Sequence, residues 1–213
     1  MIYIFWRLCI IKIKWCWNAY GTGYVPLPAK RRENVTGNII IKLSVQQRFD
    51  SFMERGRVLF FSAPCGFGKS TLSDALLSGR DVLGVMPTGA GKSMCYQIPA
   101  LAMEGMTLVI SPLISLMADQ VAALNQAGVP GAYLNSALDL EAYQEVLQGI
   151  RRGIYKLLYV APERLTAPAF LAALARTTVS LVAVDEAHCV SQWGQDFRPS
   201  YLKIPRFIEM LPT

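Results

Sequence analysis

Val82–Ser93 reads VLGVMPTGAGKS: a short apolar strand, a glycine-rich loop and the first residues of a helix. Unhindered backbone N–H groups of such a loop, together with those at a helix start, converge on the oxygens of a polyphosphate. Lys92 can reach the outer phosphates, and the Ser93 hydroxyl can hold Mg²⁺. The stretch therefore predicts a nucleotide site at the C-terminal end of a buried strand.

Downstream, further short apolar runs have the character of strands buried on both faces of a parallel sheet: Thr107–Ile110, Leu157–Val160 and Leu181–Val184, with Val82–Met86 as the first. Helical patterns lie between them, over Ser93–Met103, Leu113–Gln126 and Leu140–Ile150, with a shorter one over Pro168–Ala175. In the third, Leu140, Tyr143, Val146, Leu147 and Ile150 form one apolar stripe. This alternation predicts an α/β fold of the P-loop NTPase kind, with its active edge at the C-terminal strand ends.

Leu181–His188, LVAVDEAH, supplies a second half for the site. A carboxylate at a strand end can hold the water shell of Mg²⁺, the role expected of Asp185, and Glu186 is placed to orient and deprotonate an attacking water. Alone, the pair reads equally as an acidic strand end at the solvent boundary. Joined to GAGKS on the same kind of strand, it specifies nucleoside-triphosphate hydrolysis.

The chain has 213 residues and a formal charge of +6, but the charge is uneven. Residues 1–60 hold ten Lys/Arg against three acids, whereas residues 61–213 hold eleven against twelve. The catalytic part is thus nearly neutral, and the overall charge says little about its ligands. Apolar residues make up 53% and charged ones 17%, which excludes wholesale disorder. Cys9, Cys16, Cys65, Cys95 and Cys189 form no CxxC pair and there is a single histidine, so no zinc cluster is expected and the thiols read as reduced and cytoplasmic. The opening MIYIFWRLCIIKIKWCW is interrupted by Arg7, Lys12 and Lys14, short of the roughly 20 apolar residues that span a bilayer. It reads as a strand, a poorly ordered extension or sequence not native to the domain behind it, and no membrane association is expected.

Residues 22–37 have linker character, and Val45–Arg55 a helical one. Val58–Phe61 is a credible buried strand running into APCGFGKST, Ala63–Thr71, a second phosphate-loop pattern with Lys69 and Ser70 in the lysine and hydroxyl positions. Over about thirty residues this region weakly resembles the nucleotide-binding start of LuxR-type or MalT-like regulators. Only about two helical turns separate it from the next strand. It reads as a nucleotide site, as a plain strand-turn-helix connector, or as a join between unrelated coding segments.

GRDVLGVMPTGAGKSMCYQIPAL, then LVISPLISLMADQV, YVAPERL and VDEAHCVSQWGQDFRPSYLKI, resemble in order the first motor domain of RecQ-type ATP-dependent DNA helicases of superfamily two. The resemblance runs from Leu76 to about Ile208. It implies a RecA-like parallel sheet flanked by helices over 58–213, incomplete at the C-terminus, behind an irregular basic extension over 1–57. It assigns Thr88, Gly89, Ala90, Gly91, Lys92 and Ser93 to ATP and Mg²⁺, and Asp185, Glu186 and His188 to metal binding, water activation and coupling. It places Ser111, Pro112 and Gln120 along a single-stranded DNA path and Arg164 in a further DNA-facing loop. Trp193, Phe197 and Arg198 become the residues that couple DNA binding to hydrolysis, with single-stranded or partly duplex DNA as partner.

Three departures qualify the implied activity. Gln195 stands where the family commonly has histidine, so that position cannot carry the same charge. The glutamine-bearing adenine motif expected upstream is replaced by APCGFGKSTLS. Beyond Thr213 the resemblance would call for further strand structure, whose absence predicts an exposed sheet edge, and for a second motor domain, supplied elsewhere. The enzyme reading is 3′-to-5′ DNA unwinding driven by ATP hydrolysis; the alternative is a nucleotide- or DNA-binding fragment with negligible turnover.

Overall fold

The computed structural model describes residues 6–13, 58–62, 69–87, 91–190 and 198–211. One compact unit comprises 1–16 and 59–213; the other, 17–58, lies outside the described residues apart from Val58. The elements in order are β1 (Trp6–Ile13), β2 (Val58–Ser62), α1 (Lys69–Leu77), β3 (Asp81–Pro87), α2 (Met94–Ala102), β4 (Met106–Ile110), α3 (Ile114–Gln126), β5 (Gly131–Leu134), α4 (Leu140–Arg151), β6 (Leu157–Val160), α5 (Pro168–Leu174), β7 (Val179–Val184) and α6 (Ile204–Met210). Single 3₁₀ turns occupy Pro162–Thr166, Ala187–Val190 and Pro199–Lys203.

The strands form one seven-stranded sheet in the order β2-β3-β1-β7-β4-β6-β5. β7, β4, β6 and β5 are mutually parallel, as a strand–helix alternation requires. Because successive strand residues face opposite sides, each strand feeds two layers. Val182 and Val184 of β7, Leu108 and Ile110 of β4, and Leu158 and Val160 of β6 pack with α4, α5 and α6 through Leu147, Ile150, Phe170, Phe207 and Ile208. Leu181 and Ala183, Val109, and Leu157 and Tyr159 face α1, α2 and α3 through Leu72, Leu76, Tyr96, Ala100, Met117 and Val121. The continuous apolar runs in the sequence arise from this two-sided burial.

α4 begins at Asp139, whose carboxylate accepts from the Ala142 N–H at 2.8 Å. Leu147 and Ile150 of its stripe are buried, and Tyr143 and Val146 pack on them, but Leu140 is 72% exposed. As the first helical residue it precedes the turn that meets the sheet. β5 escaped sequence reading because GAYL, between Pro130 and Asn135, is too short to show a period. Its start is fixed by Asn125, which accepts from the Gly131 N–H at 2.8 Å and donates to the Gly131 carbonyl at 3.2 Å.

β1 departs from the parallel pattern. It runs antiparallel to both β3 and β7, with Ile10 opposite Leu83 on one side and Val184 on the other. Among the readings open for the opening residues, Trp6–Ile13 is a strand within the sheet. β7 consequently lies between β1 and β4, and among the described residues the sheet edges are β2 and β5. β2 and β3 are direct neighbours despite the short α1 between them. The helical pattern over Val45–Arg55 and the loop residues 63–68 lie outside the described residues.

Candidate nucleotide site

The ends of β3, β4, β6 and β7 lead into the residues singled out from the sequence. Gly91 takes φ +73°, a left-handed conformation that glycine adopts without penalty, and the chain turns there into α2. The first helical bonds come next, from Met94 N–H to the Gly91 carbonyl at 3.2 Å and from Cys95 N–H to the Lys92 carbonyl at 3.0 Å. Ser93 precedes α2 with helical dihedrals and makes no side-chain capping bond, so its hydroxyl is not consumed by the helix end. Thr88, Gly89 and Ala90 lie outside the described residues.

The DEAH strand delivers its carboxylates to the same place. Lys92 Nζ lies 3.5 Å from Glu186 Oε1 and 3.9 Å from Asp185 Oδ1. The three side chains are nearly closed to solvent, yet the Lys92 ammonium has no hydrogen-bond partner among the described residues. A buried ammonium left short of partners is costly, and phosphate oxygens would satisfy it. Glu186 is the one non-glycine residue among those described with positive φ, at +50°. That sharp turn lets two consecutive carboxylates both face the loop lysine, at a backbone cost of about 1–2 kcal/mol.

Asp185 is held from three directions. Its N–H donates to the Ile110 carbonyl at 2.8 Å, its Oδ1 accepts from the Glu186 N–H at 2.9 Å, and its carbonyl accepts from the Tyr201 hydroxyl at 2.9 Å. Burial drives the Tyr201 pKa upward, with Cys189 and Asp185 adding to the effect, so the phenol remains a neutral donor. On the other side of the sheet, Gln97 Nε2 donates to Gln120 Oε1 and to the Tyr159 hydroxyl, each at 2.9 Å. Burial raises the Tyr159 pKa, hydrogen bonds with Tyr96 and Gln97 lower it, and Asp185 raises it further. Tyr201, Gln97 and Tyr159 had no signal in the sequence, because each acts through a contact distant along the chain.

The other predicted residues occupy defined places. Ser111 follows β4, its Oγ buried without a partner among the described residues, and Pro112 beside it is buried. Arg198 joins this segment to the residues after the DEAH turn: its guanidinium donates to the Pro112 carbonyl at 3.3 Å and its N–H to the Cys189 carbonyl at 3.0 Å. Gln120 is tied to Gln97 in α2. Arg164, half-buried, donates to the Asn135 carbonyl at 3.1 Å and lies 5.2 Å over the Tyr143 ring. His188 belongs to the Ala187–Val190 turn, and its side chain is not among those described. Trp193 and Phe197 lie outside the described residues.

A loop lysine and a DEAH turn, side by side at the C-terminal strand ends of an α/β sheet, have the arrangement of a mononucleotide-binding α/β domain. The chain belongs to the DEAD/DEAH box helicase family, whose profile matches residues 71–212. It is 60% identical over 120 residues to the ATP-dependent DNA helicase RecQ of Bacillus subtilis, an alignment covering 56% of this chain and 20% of that protein. Identity to the ATP-dependent DNA helicase RecQ of Pasteurella multocida is 52% over 137 residues, 64% of this chain and 22% of the relative. The ATP-dependent DNA helicase Q-like 5 of Arabidopsis thaliana is 49% identical over 130 residues, 61% and 14% of the two chains. The chain thus spans about a fifth of the length of the bacterial RecQ relatives. Among the described residues no helix is long and apolar enough to cross a membrane.

Proposed function

We propose that residues 58–213 are the ATP-binding motor domain of a RecQ-like DNA helicase, using ATP hydrolysis to drive 3′-to-5′ movement along single-stranded or partly duplex DNA in the cytoplasm. The observation that carries this reading is the convergence of Lys92 with Asp185 and Glu186 at 3.5–3.9 Å, from positions more than ninety residues apart. Thr88 through Ser93 wrap the triphosphate, and Lys92 leaves its carboxylates to meet the outer phosphates. The Ser93 hydroxyl, which makes no capping bond, and the buried Asp185 carboxylate are the residues that would hold Mg²⁺, and hard oxygen donors of this kind suit it. When bound, that ion screens charge on the phosphates.

Glu186 accepts the proton of the attacking water, and release of its Lys92 pairing on nucleotide binding frees it to do so. Ser111, Pro112, Gln120 and Arg164 face the DNA path, with sequence-independent contacts to sugar and phosphate. Trp193, Phe197, Arg198 and His188 link strand occupancy to hydrolysis; the bond from Arg198 to the Pro112 carbonyl supports this by joining the two segments. A second motor domain completes the stroke.

Steady-state ATP hydrolysis, with and without single-stranded DNA, tests the reading on the wild-type chain beside Lys92→Ala and Lys69→Ala. DNA-stimulated turnover lost only with Lys92→Ala is the expected result. Loss with Lys69→Ala alone would move the nucleotide to the 63–71 loop. No turnover in a folded sample would favour a binding fragment.

A further inference from the structure

At the opposite edge of the sheet, where β4, β5, β6 and β7 begin, lies a cavity of about 760 Å³. Its wall includes Arg151, Arg152, Lys156 and Arg176 and, among the described residues, no acid. Residues 61–213 hold only eleven cations against twelve acids, so more than a third of the cations of a nearly neutral body gather at one concavity. Lys156 is engaged, its ammonium donating to the carbonyls of Met103 and Gly105. Burial lowers its pKa and Glu104 partly restores it.

The three arginines differ from Lys156. They are exposed, and none has a side-chain hydrogen bond or ion pair among the described residues. Glu104 acts on Lys156 and Glu145 on Tyr155, but among the described residues neither acid forms an ion pair with the three arginines, so an anion entering the cavity would meet unneutralised cations. Beside them, Ile154 is half exposed and the Tyr155 ring lies across α4 at Gly149. A Cβ at Gly149 would fall 2.3–2.5 Å from the ring and its hydroxyl, so this helix leaves out a side chain where the ring rests. The cavity joins guanidinium forks, which suit phosphate, to an apolar and aromatic wall, which suits a base. Its volume is that of small-ligand sites.

We propose that this cavity is a second anion site that takes a nucleotide unit, with its phosphate on Arg151, Arg152 and Arg176 and its base on Ile154 and Tyr155. The unit is either a free mononucleotide or one residue of a nucleic-acid strand. An acidic peptide would engage the cations but leave the apolar wall unused. The site does not rest on the motor reading, since strand lengths of four to six residues separate the two edges of the sheet.

The test is amide NMR of the full chain carrying Lys92→Ala, without Mg²⁺, titrated with thymidine 5′-monophosphate, a fifteen-residue oligo-dT and a fifteen-residue poly-Glu peptide. Expected are shifts at Gly128, Gly153 and Thr178 with the thymidine probes, weakened at least tenfold by Arg152→Ala with Arg176→Ala in a chain of unchanged melting temperature. Saturation by the mononucleotide identifies a free nucleotide as the source; saturation by oligo-dT alone identifies a strand. Tyr155→Leu should weaken the thymidine probes and leave inorganic pyrophosphate unaffected. Shifts confined to residues 91–93, binding indifferent to the arginine changes, or poly-Glu binding as tightly as oligo-dT would each overturn the proposal.

Discussion

Tyr201→Phe removes one oxygen from a residue that is 1% exposed, and with it the bond to the Asp185 carbonyl. The ring still fills its place, so no cavity opens, and the change isolates the hydrogen bond. Leaving a buried carbonyl without its donor costs on the order of 1–3 kcal/mol. Taking about 1.5 kcal/mol, and about 2–4 °C per kcal/mol for a chain of this size, the melting temperature should fall by about 3–6 °C. That loss is small against the usual stability margin, so nearly every molecule stays folded at 25 °C. Any fall in turnover then reports the position of Asp185. Asp185 retains its bonds to Ile110 and Glu186 but becomes free to shift, and misplacement of a carboxylate by a fraction of an ångström should reduce kcat about tenfold. Thermal unfolding and ATP turnover on the same sample measure both effects. An unchanged melting temperature would refute the energetic argument, and a lowered one with full turnover would refute the positioning argument.

Glu186→Asn should abolish turnover and lower the urea midpoint, because it relieves about 1 kcal/mol of left-handed backbone strain but takes from the buried Lys92 ammonium its nearer carboxylate, at 3.5 Å; a raised midpoint would mean that the strain outweighs the pairing. Gly149→Ala gains helix propensity of about 1 kcal/mol but drives a methyl into the Tyr155 ring, and overpacking of about 1–3 kcal/mol should win, lowering the melting temperature and changing the Tyr155 fluorescence environment. Tyr155, Tyr159 and Tyr201 all have raised pKa values, so between pH 10 and their folded values the native state holds more protons than the unfolded one, and stability should be full below pH 10 and fall as pH rises above it. Absorbance at 295 nm followed alongside circular dichroism checks this: the buried Tyr159 and Tyr201 should ionise only as the fold is lost, and their ionisation in an intact fold would contradict the assigned burial.

The sequence by itself determined three of the four parallel strands, β4, β6 and β7, and marked a candidate phosphate loop. Both are local: strands buried on two faces must be continuous apolar runs, and a loop that approaches phosphate must be rich in glycine with a lysine at its end. VLGVMPTGAGKS and LVAVDEAH therefore declared themselves, and helix ends agreed within a few residues. Short or solvent-facing pieces were less legible, as GAYL in β5 and the exposed Leu140 show, because four residues carry no period and a first helical turn need not touch the core.

Tertiary structure decided what depends on partners far apart in the chain. It inserted β1 antiparallel between β3 and β7, a placement that follows from unpaired backbone groups on both neighbours and from nothing periodic in WRLCIIKI. It brought Lys92 to Asp185 and Glu186, gave Asp185 its support from Tyr201, and gathered Arg151, Arg152 and Arg176 around one cavity. Charge convergence and buried hydrogen bonds are properties of positions in space, and a sequence names the groups without fixing the distances between them.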